Sequence, residues 1–133
     1  MADAFTFELV SPEKLLFSGN AFEVMVPGTE GYFTVMKDHA PFMSTVKPGV
    51  VEAKLSSGED MKIFVRGGLA DVSPSGFTLL AEVAVPIADM NTDFINKQIA
   101  MAEDDLATAT EEKKQSAREK LDQLIEVKTR LGL

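Results

Sequence analysis

The sequence predicts an α+β chain in two parts: an N-terminal antiparallel β-sandwich of about eight to ten short strands, then a C-terminal antiparallel two-helix hairpin. Three observations predict it. Up to Pro86, apolar and polar residues alternate, and Gly or Pro punctuates the chain every few residues. From Asn91 to Leu131 there is neither Gly nor Pro. In that second stretch the apolar residues recur at three- and four-residue steps, the period of a helix. The sandwich is assigned to residues 1–86 and the helical hairpin to residues 91–133.

Along the sandwich, "AFTFELV" places Phe5, Phe7 and Leu9 on one face and Thr6 and Glu8 on the other, as a half-buried strand requires. "KLLFSG" is a second short run, expected to close at Ser18-Gly19-Asn20. "AFEVMVPG" alternates again, with Phe22, Val24 and Val26 opposed to Glu23 and Met25, and Pro27-Gly28 is expected to end it. "GYFTVM" and "FMSTV" flank the polar kink Lys37-Asp38-His39-Ala40-Pro41. "GVVEAKL" and "MKIFVRG" are joined through Ser56–Asp60 as a hairpin, and "LADV" and "FTLLAEVAV" through Ser73–Gly76.

In the helical part, Ile95, Ile99, Ala102, Leu106 and Ala109 form one seam, with Asn91, Thr92 or Asp93 as its cap. Ala117, Leu121, Leu124 and Leu131 form a second seam, with Ile125 beside it. Thr108-Ala109-Thr110-Glu111 has capping-box spacing, so a second helix is expected to start there. Glu126 and Arg130 stand one turn apart, a spacing that suits an ion pair. The seams fit an antiparallel hairpin, one continuous helix of about 40 residues, or two helices that part to meet a partner.

Composition excludes several functions. The chain has 133 residues, no cysteine and a net charge of −8. Its length lets a single core form without a disulfide or metal staple. Its negative charge repels phosphate backbones, so nucleic acid is not an expected partner. No apolar run reaches the roughly 20 residues of a membrane-spanning helix, and the N-terminus lacks the pattern of a secretory signal. The charge is uneven: residues 111–133 carry 6 basic and 5 acidic groups and are the least acidic part.

Catalysis finds no constellation. His39 is the one histidine. There is no G-x-S-x-G elbow, no cysteine nucleophile and no set of metal-ligand spacings, so no catalytic residue and no metal ligand is assigned. His39 then reads either as a turn residue bonded to nearby backbone or as a contact residue on a stiff exposed loop, since Ala40 before Pro41 is pushed to extended geometry.

Four segments, taken in order, resemble the epsilon subunit of the F-type ATP synthase: "VSPEKLLFSG" (10–19), "VPGTEGYFTVMKDHAP" (26–41), "KPGVV" (47–51) and "VRGGLADV" (65–72). The resemblance implies a non-catalytic central-stalk subunit. Its sandwich would bind the gamma subunit and the c-subunit ring and couple ion-driven rotation to ATP synthesis. It would lie on the cytoplasmic face of the bacterial inner membrane, held there only through the complex. Thr29, Glu30, Gly31, Asp38, His39, Ala40 and Pro41 match the family pattern at the end that faces the c ring. Two departures stand out: Thr34 replaces a glycine, and Lys37-Asp38 replaces a Pro-Gly pair.

In members that bind ATP through the hairpin the resemblance implies an Ile/Leu-Asp-x-x-Arg-Ala motif. Here Ile95-Asn96-Lys97-Gln98-Ile99-Ala100 stands in its place. Asn96 takes the acidic position and Ile99 the arginine position, so no cofactor is expected. A regulatory contact with the beta subunit would fall to Lys113, Lys114, Arg118 and Lys120. Glu111, Glu112, Glu119 and Asp122 lie among them, so inhibition of hydrolysis is expected to be weak at most. The alternatives from other classes are a stand-alone β-sandwich module for a glycan or peptide, and a small hydrolase built on His39.

Overall fold

A computed structural model describes residues 3–133. The chain divides into two compact units, the first ending at Ile87 and the second spanning Ala88–Leu133. The first unit holds seven strands: β1 (Phe5–Val10), β2 (Leu15–Gly28), β3 (Gly31–Met36), β4 (Phe42–Thr45), β5 (Gly49–Leu55), β6 (Asp60–Ser73) and β7 (Gly76–Pro86). They pair in the order β1-β7-β6-β5-β2-β3; β4 adds to β6, and β1 also pairs with β2. All pairings are antiparallel except β1 with β7.

Continuous strands number seven rather than eight to ten because three of them are long. β2 and β6 have 14 residues each and β7 has 11. Each serves both layers of the sandwich. The first half of β6 pairs with β5, and its second half, Leu69–Val72, pairs with β4. The change of partner falls at Gly67-Gly68, where the backbone takes φ of 72° and 141°. "MKIFVRG" and "LADV" are thus one strand bent at its glycines. At Gly68 a Cβ would run into the Leu80 carbonyl oxygen of β7, so the corner admits no side chain.

Two further breaks expected from the sequence lie inside β2. Ser18-Gly19-Asn20 does not close a strand, because these residues pair with Glu8, Phe7 and Thr6 of β1. Gly19 leaves room for the Phe17 ring, whose Cζ would stand 2.9 Å from a Cβ there. Phe17 in turn packs on Phe7 at 5.7 Å. Pro27-Gly28 continues the strand, and the reversal comes at Thr29-Glu30, between the paired Gly28 and Gly31. Phe22 does not share the core face with Val24 and Val26. Ala21 opposes Leu55 and Glu23 opposes Lys54, which leaves Phe22 as the extra residue of a bulge. The bulge shifts the inward phase from odd positions (Phe17, Ala21) to even ones (Val24, Val26), so strict alternation fails across it.

The core follows from these faces. Phe7, Leu9, Val24, Val26, Val35, Val51, Val65 and Leu79 are buried together, and Phe77 stacks on Phe7 at 5.5 Å. The outer face around β2, β5 and β6 is charged instead, with Lys54–Glu23 at 3.6 Å and Lys62–Glu52 at 3.9 Å. Such exposed cross-strand pairs contribute at most about 1 kcal/mol each.

The second unit holds α1 (Thr92–Thr108) and α2 (Lys114–Leu131). Asn91 caps α1, its side chain accepting from Phe94 N–H at 2.8 Å. The Thr108–Glu111 spacing does not start α2. Thr108 ends α1, with its hydroxyl donating back to the Asp104 carbonyl at 3.0 Å, and α2 begins after Lys113 without a side-chain cap. Gly132, at φ 71°, ends α2. The break at 109–113 excludes one continuous helix. Lys128 of α2 donates to Asn96 Oδ1 of α1 at 2.7 Å, which fixes the pair as antiparallel. Ile95, Gln98 and Ala102 of α1 are buried with Leu124 and Val127 of α2, whereas Ile125 is exposed. Val127, one turn beyond Leu124, takes the inward position that the sequence reading missed. No helix among the described residues is long and apolar enough to cross a membrane.

Candidate functional site

The candidate surface is built around β3. At one end, Thr29-Glu30 forms a two-residue hairpin tip, and Thr29, Glu30 and Gly31 are all exposed. The tip is tied down by Thr29 N–H to the Thr45 carbonyl at 3.1 Å and by the two threonine hydroxyls at 2.9 Å. Tyr32, the single tyrosine, braces it. Its hydroxyl accepts from Val50 N–H at 3.3 Å, and Lys47 Nζ stands 5.5 Å from the ring centroid. Sequence reasoning gave Tyr32 no role.

At the other end of β3 the kink turns on Asp38, which sits at φ 66°, the left-handed region. His39 N–H closes the turn onto the Met36 carbonyl at 3.1 Å. Asp38 therefore meets the positive-φ demand that a glycine would meet without strain. His39 Nδ1–H donates to the Ala40 carbonyl at 2.8 Å, and its ring centroid lies 6.3 Å from that of Phe42. This is the bonding of a turn residue. It also takes up one ring nitrogen. Lys37 pairs with Asp3 at 3.8 Å, both being largely exposed.

The fold does not bring the two sets of loop residues together. Thr29–Gly31 and Asp38–Pro41 lie at opposite ends of β3, about 20 Å apart at about 3.4 Å per residue. Each end borders a hollow. The kink end opens on one of about 500 Å³, lined by Met36 to Pro41 together with Val72 to Gly76. The tip end opens on a groove of about 510 Å³ between β3 and β4, with Phe42 and Met43 on its wall. Phe33 and Phe42, both in its lining, meet edge to face at 5.2 Å.

On the helices, Lys114 is engaged by Glu111 at 2.8 Å, and Gln115 binds Glu119 at 3.1 Å. Lys114 and Arg118 stand one turn apart on one side of α2. Lys113 precedes the helix, and Lys120 lies round it from the other two, so the four cations form no single patch. Asn96 holds Lys128, and Ile99 is half-buried.

Comparison with known proteins adds the following. The model of the ATP synthase delta/epsilon chain β-sandwich domain matches residues 4–87. The ATP synthase epsilon chain of Parvibaculum lavamentivorans is 48% identical over 129 residues, covering 96% of this chain and 98% of that one. That of Sinorhizobium medicae is 46% identical over 132 residues, covering 99% and 96%. Among solved structures, a chain of the Euglena gracilis mitochondrial ATP synthase, OSCP/F1/c-ring in rotational state 1, superposes with a TM-score of 0.76 at 16% identity. That match covers 96% of this chain and 81% of that one. A chain of the Tetrahymena thermophila mitochondrial ATP synthase central stalk and c-ring gives 0.58 at 13% identity, covering 69% and 73%. At such identities the structural likeness shows the fold alone.

Proposed function

The chain belongs to the ATP synthase epsilon-chain family, and from that premise we propose that it is a non-catalytic central-stalk subunit that binds gamma and the c-ring. In this role it couples ion-driven rotation to ATP synthesis. It works on the cytoplasmic face of the bacterial inner membrane, held there through the complex. The observation that carries this reading is the 48% identity to an epsilon chain over nearly the full length of both chains. The exposed, backbone-fixed Thr29–Gly31 tip supports it, since a surface that meets a turning partner must hold its shape.

The tip Thr29-Glu30-Gly31 is the proposed c-ring contact. Asp38, His39, Ala40 and Pro41 form a second contact point at the far end of β3. Glu30 is exposed, so a pair with a basic ring residue contributes about 0–1 kcal/mol, and the fit of the loop carries more. The test is affinity capture of gamma by the full chain, followed by cross-linking to a c-subunit loop from positions 30 and 39. Capture of gamma with a cross-link from position 30 supports the reading. Failure to capture gamma overturns it.

Specific ATP binding by the hairpin is not part of the proposed function. Ile99 offers phosphate no charge, and Asn96 is bonded to Lys128. Calorimetric titration of the full chain is expected to show no saturable ATP site tighter than about 1 mM. The dispersed cations around α2 support only weak restraint of hydrolysis through Lys113, Lys114, Arg118 and Lys120. Deleting residues 91–133 is expected to raise ATP hydrolysis by reconstituted enzyme less than about tenfold, a barrier change of about 1.4 kcal/mol.

A further inference from the structure

One run of the chain, Thr45 to Val50, backs the hairpin tip Thr29–Gly31 on both flanks. On the incoming flank the Thr45 carbonyl accepts from Thr29 N–H at 3.1 Å, and the two threonine hydroxyls meet at 2.9 Å. Val46 bridges to Gly28, and Lys47 N–H donates to the Pro27 carbonyl at 2.9 Å. The outgoing flank is held by a side chain instead. There β3 begins at Gly31, at φ 131°, and leaves the tip through Tyr32.

β3 and β5 are not neighbours, because β2 lies between them. At about 4.8 Å per strand spacing they run about 10 Å apart. Tyr32 spans that gap. It pairs with Pro27 of β2, and its hydroxyl accepts from Val50 N–H of β5 at 3.3 Å. The paired stretch of β2 and β5 stops at Met25 and Glu52, short of Val50, and the tyrosine supplies an acceptor where that ladder has ended.

Gly49 makes the reach possible. A Cβ there would stand 2.7 Å from the Tyr32 hydroxyl oxygen and 2.7 Å from Pro27 Cβ, closer than real Cβ contacts come. Any side chain at 49 would therefore displace the hydroxyl. Pro27 and Gly49 are both buried, so the hydroxyl is seated on a fixed floor. Lys47 Nζ stands 5.5 Å from the ring centroid. A phenylalanine at 32 would keep the ring beside Lys47 and Pro27 and lack the tie to β5.

We propose that Tyr32 is a positioning residue for the ring contact: its hydroxyl, seated over Gly49, sets the shape in which the tip Thr29–Gly31 meets the c ring. The inference rests on the stalk reading and deepens it by naming what holds the contact in place. Tyr32 acts through the tip rather than by touching the ring. A tip clamped only at Thr29 would turn about Gly31 and have to be ordered at each encounter. A tip clamped on both flanks meets its partner already shaped.

Tyr32→Phe in the full chain tests this, since it removes the bond and keeps the ring. Amide exchange at Val50 should rise about fivefold or more, as the loss of one ordinary hydrogen bond implies. In the reconstituted complex, cross-linking from position 30 to a c-subunit loop should fall about threefold or more. Capture of gamma, and cross-linking from position 39 at the far end of β3, should stay at the parent level. Thr45→Val, which removes the hydroxyl partner on the other flank, should also lower the position-30 cross-link, and the two substitutions together should lower it further. A parent-level cross-link from position 30 in Tyr32→Phe overturns the positioning role and leaves the stalk reading standing. A parallel fall in gamma capture and in both cross-links would make Tyr32 a general part of the fold and overturn the proposal as well. If the parent chain captures no gamma, the stalk reading falls and the proposal falls with it.

Discussion

The sandwich and the helical hairpin are stabilised in different ways. In the sandwich, sixteen buried apolar residues form one cluster, so each shares its load with many neighbours. In the hairpin the buried residues are Ile95, Gln98, Ala102, Leu124 and Val127, so each carries a large share. Hydrogen bonding differs too. Sandwich pairs join distant segments, as Phe7 joins Gly19 and Phe77. Most helix bonds close within one turn. A hairpin of this kind can open locally while the sandwich stays intact, because its bonds and its contacts are few and local. The lesson is that one chain can carry both a cooperative body and an appendage stabilised by few, local contacts.

Substitutions can break or sharpen that contrast. The largest effect is expected from Gly68→Ala. It sets a methyl against the Leu80 carbonyl at a positive φ and should cost about 3–5 kcal/mol. Thermal unfolding should show the whole sandwich transition moving down. A change confined to the helical signal would contradict the shared-load picture. Leu124→Ala should cost about 2–3 kcal/mol, all of it in the hairpin. The helical far-ultraviolet signal should melt earlier, while exchange at sandwich amides such as Val65 stays as slow as before. Asp38→Gly should act in the opposite direction. It relieves a positive φ at the kink and should stabilise the sandwich by about 0.5–1 kcal/mol in denaturant titration. Lys128→Ala should cost about 0.5–1 kcal/mol, since it removes one exposed bond between helices. It should raise exchange in α1 and leave β-strand amides alone.

Much of this contrast was legible in the residues. Period two before Pro86 and a helical period after Asn91 separated the two parts, and Asn91 was one of three residues, with Thr92 and Asp93, read as the helix cap. What escaped were features decided by partners distant in sequence. Gly19 and Gly67-Gly68 look like strand ends. Gly19 instead pairs with Phe7 of β1, and Gly68 lies against the Leu80 carbonyl of β7, so both sit in the middle of strands. Phe22 reads as a core residue until the β5 register shows the bulge. The Thr108–Glu111 spacing was sound local chemistry that lost to the α1 end, where the Thr108 hydroxyl is used by Asp104. At the candidate surface, sequence reasoning singled out two loops, whose residues are exposed apart from half-buried His39. The strand "GYFTVM" read between them already implied that they lie at its two ends, whereas the resemblance matched both to one end.

The three strands that pass through both layers have a mechanical consequence. Sandwiches whose layers meet only through side chains can slide by repacking those side chains. Here β2, β6 and β7 carry the main chain from one layer into the other, so sliding would have to rupture ladders in both at once. A sideways pull applied at the Thr29–Gly31 tip would thus be resisted by covalent backbone in tension, and the unit should yield as a whole or not at all.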